Sequence, residues 1–266
     1  MDRYEFLIRK LSKEKISKEE FCKFISEAGL EIIEGMDYIE LLRTYGLPIR
    51  EDKDGVYLKT LFTPFKEQVF CFVDIETNGN SPVKNQIIEI GAIKYQNGKI
   101  IDKMDSLIYC DFVPEYISKI TNITVDDLKG ASSLNKILYD FKLFLGDAVF
   151  VAHNVNFDFN FISASLERAG YGKLLNRKLC TIDLARKTIK AERYGLAYLI
   201  EHLNIDTPAH HRAHADALSS LKIFEESLKN IPSEIETAED LLFFAKPSQN
   251  KRKKKKTAQT SLFCQE

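Results

Sequence analysis

One ten-residue run, Phe70-Cys-Phe-Val-Asp-Ile-Glu-Thr-Asn-Gly79, constrains this chain more than any other stretch. Its apolar first half, rich in Phe and Val, reads as a buried strand. Side chains two positions apart on a strand share a face, so Asp74 and Glu76 stand side by side at its end. Two carboxylates that close repel, and one takes up a proton unless a cation lies between them. The pair is costly as pure architecture. It makes sense as half of a metal site.

The rest of the chain leaves room for such a site. Its 266 residues, 44% hydrophobic and 29% charged, fit one domain of moderate size plus something smaller. No apolar run is long enough to span a bilayer. The start, MDRYEFLIRK, has acids and no apolar core of a secretory signal. The five cysteines are odd in number and none forms a C-x-x-C pair, so neither a zinc site nor a disulfide framework is expected. A cytoplasmic protein with no membrane partner is the expectation. Charge is uneven: KRKKKK at 251–256 carries +6 and Glu266 −1, so a net of −1 leaves −6 on residues 1–250.

Four regions emerge. Residues 1–66 read as three helices and a hairpin. Ser17 with Glu20 is a capping box, and Asp54-Gly55 marks the hairpin turn. Residues 67–229 alternate strand and helix signals. Strands are predicted at 68–75, 86–95, 99–109 and 147–153. Helices are predicted near 134–145, 156–169, 182–190, 195–203 and 213–229. Consecutive strands followed by β/α alternation predict an α/β fold, a mixed sheet covered by helices. Residues 230–250 read as a helical linker, and 251–266 as a disordered basic tail.

Further acids occur in matching contexts. Asp158, in VFVAHNVNFDFNFI, falls early in a helix that follows an apolar strand. Asp216, in HHRAHADALSSLKIF, falls in the first turns of another helix, ahead of an apolar pattern that turns its face toward the core. Four acids at strand ends and helix starts suit two hard cations, because carboxylate oxygen is what Mg²⁺ or Mn²⁺ prefers. His153 is read as a satisfied structural histidine, and Glu89 as pairing locally beside the site.

The stretches FVDIETNG, AHNVNFDFNFI and HHRAHADA resemble, in order, the three motifs of the DEDDh 3′→5′ exonucleases. Within that family the chain is most similar to the epsilon proofreading subunit of bacterial DNA polymerase III and to the related exonuclease domain of the Gram-positive replicative polymerase. The similarity covers about residues 67–229. Three motifs in order make a strong signal, where any one alone is weak. The resemblance implies an RNase H-like fold: a five-stranded mixed sheet, three antiparallel strands first, with flanking helices. It implies that Asp74, Glu76 and Asp216 hold one metal, that Asp74 bridges to a second, and that Asp158 helps through water. It places the general base five residues before the last Asp, which selects His211 over His210. His214 is two residues from Asp216 on a helix, roughly 200° round the axis, and cannot face the same site. By the same resemblance Thr77, Asn154 and Phe157 contact the terminal nucleotide.

The two ends of the chain lie outside that similarity. QTSLF at 259–263 resembles the short peptide by which bacterial proteins dock on the sliding clamp. Leu262 and Phe263 would fill an apolar groove and Gln259 would bond at its rim. KRKKKK is read as gripping DNA phosphates, with a solubilising linker as the alternative. The N-terminal region resembles a winged-helix module, yet its 12 Lys and Arg against 13 Asp and Glu do not favour nucleic acid.

The expected activity is metal-dependent removal of nucleoside 5′-monophosphates from a single-stranded or frayed DNA 3′ end, as in replicative proofreading. A polymerase alpha subunit and the sliding clamp are the expected partners. The alternatives are an RNA-trimming or DNA-repair exonuclease of the same family, or a clamp-binding adaptor with an inert nuclease core.

Overall fold

The structure is a computed structural model, which describes residues 3–29, 37–206 and 212–247. His210, His211 and the tail with Gln259, Leu262 and Phe263 lie outside the described residues.

The N-terminal region opens with helix α1 (Arg3–Leu11). Helix α2 (Lys18–Glu27) follows, and Ser17 caps it in a reciprocal box with Glu20. Helix α3 (Tyr38–Thr44) starts at Asp37, whose carboxylate accepts from the amides of Ile39 and Glu40. Strands β1 (Ile49–Asp52) and β2 (Gly55–Leu58) pair antiparallel, and Ile16 adds a bridge to Val56. The expected Asp54-Gly55 turn is displaced by one residue. The register pairs Asp52 with Gly55, so the loop is Lys53-Asp54. Gly55 is needed for a different reason: at φ +148° a Cβ there would lie 2.1 Å from the Ile16 carbonyl oxygen that the bridge brings in.

The main sheet has the order β5-β4-β3-β6-β7. It comprises β3 (Phe70–Thr77), β4 (Ile87–Gln96), β5 (Lys99–Leu107), β6 (Val149–Ala152) and β7 (Lys178–Cys180). The first three are an antiparallel meander; β6 and β7 run parallel to β3. Val-Phe-Val-Ala in β6 is buried throughout, as a strand covered on both faces must be. The edge strand β5 is exposed and carries Lys99, Asp102, Lys103 and Asp105, which blunt it against further pairing. The three-residue β7 has no period of its own and escaped the sequence pattern, as did helices α4 (Glu115–Thr121) and α5 (Val125–Leu128).

Alternation along β3 divides the core. Cys71, Val73 and Ile75 face helices α6 (Leu134–Leu145) and α7 (Val155–Arg168). Phe70 and Phe72 face the other layer, made of α8 (Thr181–Thr188), α10 (Ala213–Leu228) and α11 (Ala238–Ala245). Helix α9 (Leu196–His202) packs on α8 and α10. The stretch expected as a linker thus belongs to the core: Leu241, Leu242 and Ala245 of α11 are buried with Phe70 and Phe224.

The N-terminal helices and hairpin enclose their own apolar cluster, which Leu175 of the main body joins. The Leu175 amide donates to the Tyr45 carbonyl at 2.7 Å, and the Arg50 guanidinium meets Asp147 at 2.6 Å. These contacts lie just ahead of β6 and β7. Asp74 and Glu76 stand at the other end of the parallel strands.

Candidate active site

Asp74 and Glu76 share the face of β3 that α10 covers. Asp216, in the first turn of α10, comes down onto the same spot. One carboxylate oxygen from each of the three lies within 4.8 Å of the others. Asp158 is not in that group. It reaches β3 from α7, on the opposite layer, and is only 3% exposed. Its Oδ1 accepts from the Ile75 amide at 3.2 Å, beyond the point where β6 stops pairing with β3.

Crowding shows in the electrostatics. Burial first, then the charges of Asp158, Asp216, Glu76 and Glu89, holds the Asp74 carboxyl well above its usual range. Burial, Glu89 and Asp216 push Glu76 up to about 7, against the pull of Arg212. Burial pushes Asp158 up to about 8, although hydrogen bonds from its own amide and from Ile75 oppose it. A donor set made wholly of carboxylate oxygens, drawn together at this expense, fits a hard divalent cation.

The neighbouring residues fall into place around this cluster. Thr77 is buried and its hydroxyl donates to the Gly79 carbonyl at 2.7 Å. Asn154 is exposed, in the left-handed region at φ 71°, where the chain turns from β6 into α7. Phe157 is 38% exposed, while Phe159 and Phe161 are core. His153 has both ring nitrogens engaged, Nδ1 with the Thr181 hydroxyl at 2.9 Å and Nε2 with the Tyr194 carbonyl at 3.0 Å. Since that carbonyl can only accept, Nε2 carries the proton. Burial lowers the ring to about 4, so it stays neutral.

Two residues of β4 back the site: Glu89, which pairs beside it as expected though with a distant partner, and Gly91, which sequence reasoning did not single out. Glu89, opposite Glu76 in the register, is 1% exposed. Its Oε1 accepts from Nε and Nη2 of Arg212 at 2.8 and 2.6 Å, and its Oε2 from the Ala213 amide at 2.9 Å. Gly91 stands opposite Asp74, and a Cβ there would lie 2.2 Å from the backbone nitrogen of His214. The signal was present: an acid and a glycine inside an apolar strand pattern, IIEIGAI, mark a buried partner and a close backbone approach.

A mixed sheet of this order, with Asp74, Glu76 and Asp216 meeting beside one strand end and Asp158 reaching β3 from the other layer, is the arrangement of the RNase H-like nucleases. The RNase_T family model, described as exonuclease, matches residues 71–224, more than half of the chain. The chain belongs to this exonuclease family and is a DEDD-type member of it. Among curated relatives it is 36% identical over 199 residues to the PolC-type DNA polymerase III of Staphylococcus aureus (strain bovine RF122 / ET3-1). The same figures hold for that of Staphylococcus haemolyticus (strain JCSC1435). The match takes in 74% of this chain and 13% of each relative. Among solved structures, E. coli exonuclease I in complex with a dA16 oligonucleotide aligns with TM-score 0.55 and 16% identity, over 62% of this chain and 42% of that one. Its zinc-bound single-stranded DNA complex gives 0.57 and 17%, over 63% and 42%. At such identities these two speak for the fold. Among the described residues no helix is long and apolar enough to cross a membrane.

Proposed function

We propose that the chain is a 3′→5′ exonuclease that removes nucleoside 5′-monophosphates from DNA 3′ ends, in the manner of a replicative proofreader. The observation that carries this reading is the convergence of Asp74, Glu76 and Asp216 beside one strand end. The PolC-type relatives support DNA and replication as the setting.

Asp74, Glu76 and Asp216 would hold divalent cations, Mg²⁺ or Mn²⁺, two in the family's manner, with Asp158 assisting from the α7 side. The chemistry such cations supply is Lewis-acid stabilisation of charge building on the phosphodiester oxygens. His211 takes a proton from the attacking water, a role that suits an imidazole near neutral pH. Water oxygen bonds to phosphorus as the bond to the 3′ oxygen breaks. The products are a 5′-monophosphate and a new 3′ hydroxyl. Thr77, Asn154 and Phe157 flank the terminal nucleotide; Phe157 offers an exposed ring for stacking. The tail would tether the enzyme through Gln259, Leu262 and Phe263 to a sliding clamp, and a polymerase alpha subunit would present the frayed end. Tethering raises effective concentration, so a weak peptide suffices.

The test is 5′-monophosphate release from a 3′-mismatched DNA primer and from an RNA of the same sequence, with Mg²⁺ or Mn²⁺ and with chelator. DNA is expected to be degraded from its 3′ end only with metal. His211→Ala should lose roughly 10²- to 10⁴-fold in rate. Faster trimming of the RNA would replace proofreading with RNA processing. Release untouched by Asp74→Ala would remove the site assignment.

A further inference from the structure

We infer that β4, which supplies none of the proposed ligands, is the template that sets the cation site, through Glu89 and Gly91 acting on the start of α10. This rests on the proposed metal-dependent reading of the site.

The register puts one β4 residue directly across from each β3 ligand: Gly91 across from Asp74 and Glu89 across from Glu76. Both touch the same few residues of α10. Gly91 lets the helix backbone come so close that a Cβ would overlap Ala213 C at 2.3 Å and His214 Cα at 2.5 Å. These are backbone atoms, so the helix itself would have to move. Glu89 fixes the helix along its axis and about it. One oxygen takes the Ala213 amide at the first helical position, and the other takes two donors of the Arg212 guanidinium. Side-chain exposure is 1% for Glu89 and 50% for Arg212, so the acid is the buried anchor and the arginine closes over it. Asp216 is three residues beyond Ala213, less than one turn. Any shift of the helix start is therefore passed to its carboxylate almost undiminished. Arg212 also follows directly on the stretch that holds His211. Glu89 and Gly91 are thus positioning residues: they act on the ligand through α10 and touch neither substrate nor cation.

The sign of one charge change separates positioning from simple electrostatics. Arg212→Met removes a positive charge beside a cation site. Electrostatics alone would then tighten Mn²⁺ binding. If Arg212 serves to lock α10 on Glu89, binding weakens instead. The experiment uses the full chain and Mn²⁺ as the probe, with free Mn²⁺ read by electron paramagnetic resonance and nucleotide release measured in parallel. Arg212→Met, Glu89→Gln and Gly91→Ala are each expected to weaken Mn²⁺ binding by about 10- to 100-fold, the range for residues that orient ligands. Each should lower kcat with KM within about twofold, as loss of an interaction needed for the chemical step requires. The Glu89→Gln/Arg212→Met double variant should lose no more than the worse single, because both remove one lock. Arg212→Lys, which keeps the charge but not the fork, should fall between wild type and Arg212→Met. It carries the comparison if the methionine variant melts below assay temperature.

Mn²⁺ bound as tightly or more tightly by Arg212→Met, or multiplied losses in the double variant, overturns the inference. A wild type that neither binds Mn²⁺ nor releases nucleotide instead overturns the functional reading on which it rests.

Discussion

Three acids with raised proton affinity make this site a pH-dependent weak point. Glu76 moves from about 4.5 in an unfolded chain to about 7, Asp158 from 3.8 to about 8, and Asp74 moves in the same direction. The folded state therefore holds more protons than the unfolded state between about pH 4 and 8. Stability then falls as pH rises through that window. The metal-free protein is expected to melt several degrees lower at pH 8 than at pH 5, since about 1 kcal/mol corresponds to roughly 2–4 °C at this size. Mn²⁺ added at pH 8 should restore the loss, because a bound cation stabilises the ionised carboxylates. Asp74→Asn should raise the metal-free melting temperature at pH 8 and abolish most of the Mn²⁺ response. Scanning calorimetry with chelator and with Mn²⁺ checks both; a melting temperature flat from pH 5 to 8 would refute the electrostatic account.

Among the elements, α10 is where stability and site are joined. Its outer turns carry Phe224, fully buried, with ring centroids 5.0 Å from Phe70, 5.2 Å from Phe72 and 6.4 Å from Tyr95. Its first turn carries Asp216. Phe224→Ala should cost about 3–5 kcal/mol through the cavity and lost burial. Because one rigid helix links the two, it should also weaken Mn²⁺ binding though Phe224 is more than two turns from Asp216. Urea denaturation and a Mn²⁺ titration of the same variant check the pair. Strand β3 plays the complementary part. Its apolar alternation pins it between two layers, so the ligands at its end inherit the rigidity of the core.

At the scale of the molecule, the N-terminal helices and hairpin sit on the segments that lead into β6 and β7, at the end of the sheet away from the carboxylates. Their attachment is apolar more than ionic. The Arg50–Asp147 pair is about a third exposed on each side, and pairs of that kind are worth about 0–1 kcal/mol. Leu175 is 5% exposed inside the N-terminal cluster. Leu175→Ala should therefore cost about 2–5 kcal/mol, while Asp147→Ala should leave stability within about 1 kcal/mol. Chemical denaturation decides; equal losses would mean the ion pair holds the two parts together. A second tie runs through Glu239 of α11, which accepts from the Thr60 hydroxyl at 2.8 Å and from Arg177 ahead of β7. A carboxylate that deep is stable only with such partners.

What the sequence determined by itself was local in origin. Hydrophobic period placed all of β5 and β6, most of β3 and β4, and the main helices, because side-chain alternation is a property of adjacent residues. The two-residue spacing of Asp74 and Glu76 put them on one face for the same reason. The capping box at Ser17 was legible because all its atoms lie within four residues. Tertiary structure decided the rest. The strand Lys178–Cys180 is too short to show a period and exists only because β6 offers it an edge. Helix α11 is a core element rather than a linker because the α10 layer covers its apolar face. That Asp216 meets Asp74 and Glu76 while Asp158 stands on the other layer is a matter of which face each helix covers. And Glu89 and Arg212, 123 residues apart, become partners only once Gly91 has let α10 lie against β4. A pairing across such a separation leaves no spacing in the chain, because its geometry is set by packing and not by covalent reach.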